Sequence, residues 1–441
     1  MNQHGIPRID ISALFGTDTM KRDGVDRAIH TAARQDGMMV VTGLPEWAVL
    51  DAGKRRRLLS LFGLPEAEIR KLWRWNFDPA RPNVYRGWFP LQPGLVTYKE
   101  GIDMGPDVAY GAGVIDGSDP LCEATPFPPE DVLPGWREGA RDYYLAMTRL
   151  SFELMRSVAR GLGLAQDCFD AAFDGGISTL RLLHYPVRPA SSFEGVAPAD
   201  VWTTHDGTAR YVLGRGHVDT GFMTLLAQDG VGGLQAQHLD GSWIDVPPEE
   251  GTLAVNFGKV LELWSAGAIR ATVHRVLGAG QERYSVPFFY EARPDAVVAP
   301  LPLPGAVPFE PFYFGDHLWE TATKFVEQRG IAHLRTPRGR PPGVRSLAAS
   351  VFGSACAPHS PDGVGGAPGA DHDGERKCEV RAGDTGVLGR YPQPQQGQHQ
   401  QERGAEHGPL EGPARQAVQV QDHAGAEPPH KQGVQDWQKV L

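Results

Sequence analysis

The chain has 441 residues, 41% of them hydrophobic and 9% aromatic, and a net charge of −10. That length can hold one large or two ordinary domains with a sizeable core, and the acidic balance argues against nucleic acid or an anionic membrane as partner. The four cysteines (Cys122, Cys168, Cys356, Cys378) form no CxxC and so make neither a disulfide framework nor a zinc site. The first residues lack the basic and apolar blocks of a signal peptide, and no apolar run is long enough to span a bilayer, so the expected location is cytoplasmic.

In chain order, IPRIDIS suggests a short strand, residues 24–35 a helix and GMMVVTG (Gly37–Gly43) a second strand. The stretch DAGKRRRLLSLFGLP has helical spacing, with Lys54 to Arg57 on its solvated face. Residues 73–129 are rich in Gly, Pro and aromatics and suggest loops and short strands. A long helix follows in GWREGARDYYLAMTRLSFELMRSVARGLGL. Its apolar stripe (Tyr144, Met147, Leu150, Leu154, Val158) is core packing, and GLG ends it.

From Ser178 to Glu291 the rhythm turns to strands: TLRLLHYP, TGFMTLLAQ, GLQAQHLDGSWIDVP, GTLAVNF, ATVHRVL and RYSVPFFYE. The Asp240-Gly241 step signals a hairpin. Many short strands at this spacing make a barrel or sandwich. DHLWETATKFVEQRG reads as a closing amphipathic helix. The expected divisions are 1–177, a helical and strand region packing on the barrel; 178–335, the barrel and its closing helix; and 336–441, a low-complexity, disordered tail that should be dispensable.

One stretch, GHVDTGFMTLL (Gly216–Leu226), opens an apolar strand-like run with His217 and Asp219 two residues apart. In an extended chain residues i and i+2 share a face, and such a pair needs water, a partner or a metal. Alone it would be a solvent-facing strand end. However, RATVHRVL places His274 on another predicted strand, and two histidines with one carboxylate make the facial triad of non-haem Fe(II) oxygenases. Nine residues on, Arg283 shares a strand face with Ser285, a guanidinium and a hydroxyl suited to a carboxylate. The pair His205-Asp206 is adjacent, so its side chains would diverge on a strand, and it is not taken as a metal site.

The set His217-x-Asp219, His274 and Arg283-x-Ser285 resembles the isopenicillin N synthase-like family of Fe(II)/2-oxoglutarate-dependent dioxygenases. IPRIDIS, RGWFP, LLHYP, LLAQDGVGGLQ and RYSVPFFYE agree with it, over roughly residues 6–330. The resemblance implies a mainly β fold with flanking helices: a double-stranded β-helix (jelly-roll) core after an N-terminal α/β region. It implies Fe(II) on His217, Asp219 and His274, with 2-oxoglutarate and O2 as cosubstrates. Arg283 and Ser285 would bind the distal carboxylate of 2-oxoglutarate, helped by Tyr185; Leu183 and Lys259 stand where many plant members have other residues. The implied reaction oxidises a C–H bond of a small organic molecule in secondary or specialised metabolism, by hydroxylation, desaturation or ring closure. The alternatives are an Fe(II) oxidase of the same fold without 2-oxoglutarate, a zinc hydrolase, or a non-catalytic jelly-roll binding protein. Arg86, Trp88, Phe89, Lys99, Arg181 and His184 are candidates for substrate contact. The segment between Tyr185 and His217 reads as a long, glycine-containing loop that could close over the metal.

Overall fold

The computed structural model describes residues 5–342 except 279; most of the expected tail lies outside the described residues. Strands β1 (Arg8–Asp10), β2 (Met38–Thr42), β3 (Gly87–Phe89) and β4 (Glu100–Met104) precede the predicted barrel sequence, which β5 (Thr179–Tyr185) opens. Next come β6 (Trp202–His205), β7 (Thr208–His217), β8 (Met223–Gln228), β9 (Leu234–Gln237), β10 (Trp243–Asp245), β11 (Leu253–Phe257), β12 (His274–Gly278) and β13 (Arg283–Tyr290). They form an eight-stranded sheet, ordered β1-β2-β11-β8-β13-β5-β4-β3, and a five-stranded sheet, ordered β10-β9-β12-β7-β6. This is the double-stranded β-helix expected.

The boundary expected at residue 178 does not divide two bodies. β1 to β4 belong to the same sheet as β5, β8, β11 and β13, because their apolar residues can be covered only by joining it. The outer face of that sheet carries Leu225, Val286, Phe288 and Tyr290, all buried in one core with the helix Trp136–Gly161. Tyr144 of that helix donates to the Ser178 carbonyl at 2.9 Å, and its ring meets Phe288 edge-on at 5.1 Å. The inner face, with Leu183, Tyr185 and Ala254, packs against Leu234, Ala236 and Val276 of the smaller sheet as a second core. Alternation along each strand therefore builds two cores from one sheet.

Three expectations change. The second half of the segment taken for a loop after Tyr185 is the β6–β7 hairpin, turning at Asp206 and Gly207, both with positive φ. Its Thr, Tyr and Val residues favour a strand, and β12 supplies the partner that the sequence does not reveal. The closing helix stops at Ala322 (it spans Phe314–Ala322) and gives way to a 3-10 turn at Val326–Gln328, which brings Glu327 to Lys99. Anchoring contacts also continue past residue 335. The buried Arg335 pairs with Asp119 and Asp316 at 2.8 Å each, and the amides of Arg338 and Gly339 donate to Asp316.

Arg335 thus anchors the C-terminal segment to the core. Arg335→Ala leaves two acidic side chains without their cation and should destabilise the fold by about 3 kcal/mol, read as a lower urea midpoint. An unchanged midpoint would show that the anchor contributes nothing.

Candidate active site

His217 and Asp219 do not share one strand, contrary to the expectation. His217 ends β7 in the smaller sheet, β8 starts only at Met223 in the larger one, and Asp219 lies in the crossing between them. The backbone amides of Gly258, Lys259 and Val260 hold that crossing by donating to the carbonyls of Phe222, Asp219, Thr220 and Gly221. Gly258 is required here, since a Cβ would come within 2.3 Å of the Gly221 carbonyl oxygen. Lys259 therefore contributes its backbone, while its side chain points out to Glu262.

His274 sits directly across from His217 in the β12–β7 pairing, with ring centroids 4.3 Å apart. One ligand atom from each of His217, Asp219 and His274 lies within 4.8 Å of the others. Asp219 Oδ1 is 3.6 Å from both Nε2 atoms. The other end of each group is tied back. His217 Nδ1 donates to the Arg215 carbonyl at 2.9 Å and His274 Nδ1 to the Thr272 carbonyl at 3.2 Å. Asp219 Oδ2 accepts from Thr224 Oγ1 at 2.6 Å and Asn256 Nδ2 at 2.8 Å. Because each Nδ1 is the donor, each Nε2 presents a lone pair inward. Burial, with His217 alongside, pulls His274 down to about 4, so it is neutral near pH 7. Burial opposes the charge on Asp219, but the imidazoles and Thr224 outweigh it and hold the carboxyl well below its ordinary range. Two imidazole Nε2 atoms and one carboxylate oxygen converging this way fit a divalent first-row metal.

Arg283 and Ser285 share a face of β13, as the sequence predicts. They pair with Tyr185 and Leu183 and so point into the barrel. Arg283 is buried and lies over the Tyr185 ring at 5.1 Å. Its Nη2 donates to Gln228 at 3.3 Å, while Nε and Nη1 are buried without partners. Two unpartnered guanidinium donors fit a carboxylate ligand.

A cavity of about 570 Å³ opens beside His217 and Asp219, and Lys99 and Arg181 line it. Arg283 instead lines a second cavity of about 480 Å³. Among the other candidates, Arg86, Trp88 and Phe89 are fully buried and line neither of these cavities. Arg86 serves the fold, donating to Thr179 and to the carbonyls of Ile177 and Leu121. His184 is held between Glu100 and Glu282. Phe89 lies beneath the guanidinium groups of Arg74 and Arg181, and both arginines bind the buried Asp103. Glu327 meets Lys99 at 3.0 Å; burial opposes its charge, but Lys99 and Arg181 hold it down at about 2.

Sequence reasoning missed Asp103, Glu327, Phe289 and Glu291 in the cavity wall. The signal for Phe289 and Glu291 was present, since residues 283, 285, 287, 289 and 291 alternate onto one face of β13. The pair His205-Asp206 also differs from expectation. The turn brings both to Asp245 within 4.8 Å, but His205 Nε2 is committed to Asp245 and Gln235.

Barrel, triad and buried arginine together define a non-haem iron oxygenase. Residues 183–292 match the 2OG-Fe(II) oxygenase superfamily. The chain is 30% identical over 332 residues to isopenicillin N synthase of Streptomyces clavuligerus, covering 74% of this chain and 97% of that protein. It is 31% identical to a 2-oxoglutarate-Fe(II) type oxidoreductase of Aspergillus fumigatus, covering 66% and 83%. Among solved structures, a full-length Neurospora crassa protein in complex with alpha-KG superposes with a TM-score of 0.61 at 26% identity, covering 74% of this chain and 98% of that one. The chain belongs to the isopenicillin N synthase-like family of 2OG-Fe(II) oxygenases. It is an oxidoreductase that uses Fe(II), 2-oxoglutarate and O2. Among the described residues no helix is long and apolar enough to cross a membrane.

Asn256 and Thr224 fix the direction in which Asp219 points. Asn256→Ala should weaken Mn(II) binding about 10-fold while leaving the fold intact, as measured by calorimetric titration. Equal affinity in the variant would mean that Thr224 alone sets the carboxylate.

Proposed function

We propose that His217, Asp219 and His274 hold Fe(II) and that Arg283, helped by Ser285 and Tyr185, binds the distal carboxylate of 2-oxoglutarate, for oxidation of a C–H bond of a small organic molecule. The observation that carries this reading is the convergence of two imidazole Nε2 atoms and Asp219 Oδ1, each held from behind. Iron held there with its keto acid would use O2 as the oxidant, with 2-oxoglutarate giving up two electrons in going to succinate and CO2 and the substrate C–H bond giving up the other two. The chain's own residues do the rest. Arg283 offers two unpaired donors to an anion, and Ser285 is buried beside it. The wall built by Arg181, Asp103, Lys99 and Glu327 shapes the space beside the metal; Lys99 pairs with Glu327, and Asp103 is shared by Arg181 and Arg74, so the cluster keeps one cation in excess. The free thiols of Cys122 and Cys168 suit a reducing compartment and so support the cytoplasm.

Asp219→Ala should abolish Fe(II) binding in a folded protein, because no other described carboxylate can take its place between the two imidazoles. Arg283→Ala should raise the KM for 2-oxoglutarate by about 10- to 100-fold, and Ser285→Ala by less, since only a neutral hydrogen bond is lost. A substrate screen scored by coupled succinate release tests the whole reading. Oxygen uptake that is independent of the keto acid would assign the protein to the oxidases of this fold instead.

A further inference from the structure

We propose that His205, Asp206 and Asp245 form a second divalent-metal site, separate from the triad of His217, Asp219 and His274. One ligand atom from each of the three lies within 4.8 Å of the others. His205 and Asp245 line the second cavity, and none of the three lines the cavity beside His217 and Asp219. The adjoining Gln235 and Arg275 place the site on the outer face of the smaller sheet. Their sequence neighbours Leu234, Ala236 and Val276 point into the barrel core, so these two side chains point away from it. Zinc binds imidazole nitrogen and carboxylate oxygen at about 2.1 Å, which sets two tetrahedral ligands about 3.4 Å apart. His205 Nε2 is 3.4 Å from Asp206 Oδ2 and 3.0 Å from Asp245 Oδ2. On an extended strand Asp206 would point away from its neighbour; from the left-handed conformation (φ 48°) at the hairpin turn it reaches the same imidazole.

Hydrogen-bond polarity leaves the centre of this group one positive charge short. Arg275 Nε, which can only donate, lies 2.8 Å from Gln235 Oε1, so the amide nitrogen of Gln235 faces the other way. That nitrogen donates to Asp245 Oδ1 at 2.7 Å and stands 2.8 Å from His205 Nε2. Gln235 is fully buried, so its amide has no water to turn to. His205 Nε2 cannot serve both Gln235 and Asp245 with one proton. A protonated Nε2 meets the Gln235 donor head-on, and a bare one sets its lone pair against two carboxylate oxygens. A divalent cation among the three atoms satisfies every one of those electron pairs.

The construction repeats that of Asp219. In both places one carboxylate oxygen is fastened from behind by a side-chain amide, Gln235 here and Asn256 there, and the other is turned to an imidazole Nε2. One imidazole with two carboxylates suits Zn(II) and its first-row neighbours better than Ca(II) or Mg(II), which take oxygen ligands. The role that fits is structural. Strands β6 and β10 are the two edges of the smaller sheet, and the metal pins the tip of the β6–β7 hairpin to β10. The same hairpin ends in His217, so the clamp steadies the strand that carries one member of the triad.

The test measures Zn(II) uptake by the full chain in equilibrium dialysis at about 20 µM free metal, a level that fills a site of micromolar affinity. Asp219→Ala removes a triad ligand and serves as the background, and differences between proteins cancel metal held by histidines elsewhere. Adding His205→Ala or Asp245→Asn should each lower the bound Zn(II) by one per chain, through a loss of affinity of at least about 10-fold. The same difference is expected when each substitution is made in wild type. In EDTA both double variants should melt within about 2 °C of the background, which separates loss of metal from loss of fold. Zn(II) should raise the melting temperature of the background by about 2 to 4 °C and leave the double variants unmoved. Equal Zn(II) content in the background and both double variants, or a Zn(II)-dependent rise that both retain, would overturn the inference.

Discussion

The two-sided binding of the Asp219 carboxylate is the constraint on which the rest of the site depends. One oxygen is fastened to the larger sheet by Thr224 of β8 and Asn256 of β11; the other faces two imidazoles carried by the smaller sheet. The proposed metal site therefore exists only while the two sheets keep their spacing. A metal bound there would in turn tie the sheets together, so metal affinity and barrel stability are linked. The crossing loop keeps this arrangement in place. Its carbonyls are fixed by the amides of Gly258 to Val260, and close approach of two backbones explains glycine at 258.

A second constraint is the burial of charge. Arg74, Arg181 and Asp103 form a triad beneath the cavity, and Lys99 with Glu327 forms a further pair that also closes the chain after residue 322. Such groups add little net stability compared with apolar packing, but removing one member leaves a charge stranded. Their value lies in shape. Phe89, covered by two guanidinium groups, shows charged side chains used as rigid packing. This is why the sequence candidates Arg181 and Lys99 reach the cavity while being largely occupied with protein partners.

Local pattern makes much of this legible. The five-residue apolar stripe of the long helix, the Asp240-Gly241 turn and the Arg283/Ser285 face all depend on spacing within one element, and each appears as predicted. The triad is legible through residue type and family resemblance, but the shared strand face expected of it is wrong in geometry. His217 and Asp219 meet across a sheet-to-sheet crossing, and no period-2 argument contains such a crossing. The β6–β7 hairpin escapes sequence reading for a similar reason. Its glycines weaken the strand signal, and the compensating pairing comes from β12, a strand distant in sequence. Arg86 and Trp88 look like cavity residues because an aromatic and basic cluster has the same appearance whether it lines a pocket or fills a core.

Strand β13 links these constraints. Its outer residues Val286, Phe288 and Tyr290 are locked against the long helix, so the strand cannot slide without exposing a core. Its inner face then carries, in order, the guanidinium of Arg283 with its two unpartnered donors, the hydroxyl of Ser285, the ring of Phe289 and, just past its end, the carboxyl of Glu291. A one-residue slip would turn all of these away from the barrel interior and bring the outward side chains in. The register of one strand therefore fixes both the spacing of these inward side chains and their common orientation. Pairing with β8 sets the level of Asp219 between them, because Thr224, which holds that carboxylate, lies opposite Phe289. Substrate choice in this framework can change by replacing single inward residues of β13, while the outward residues keep the strand in place.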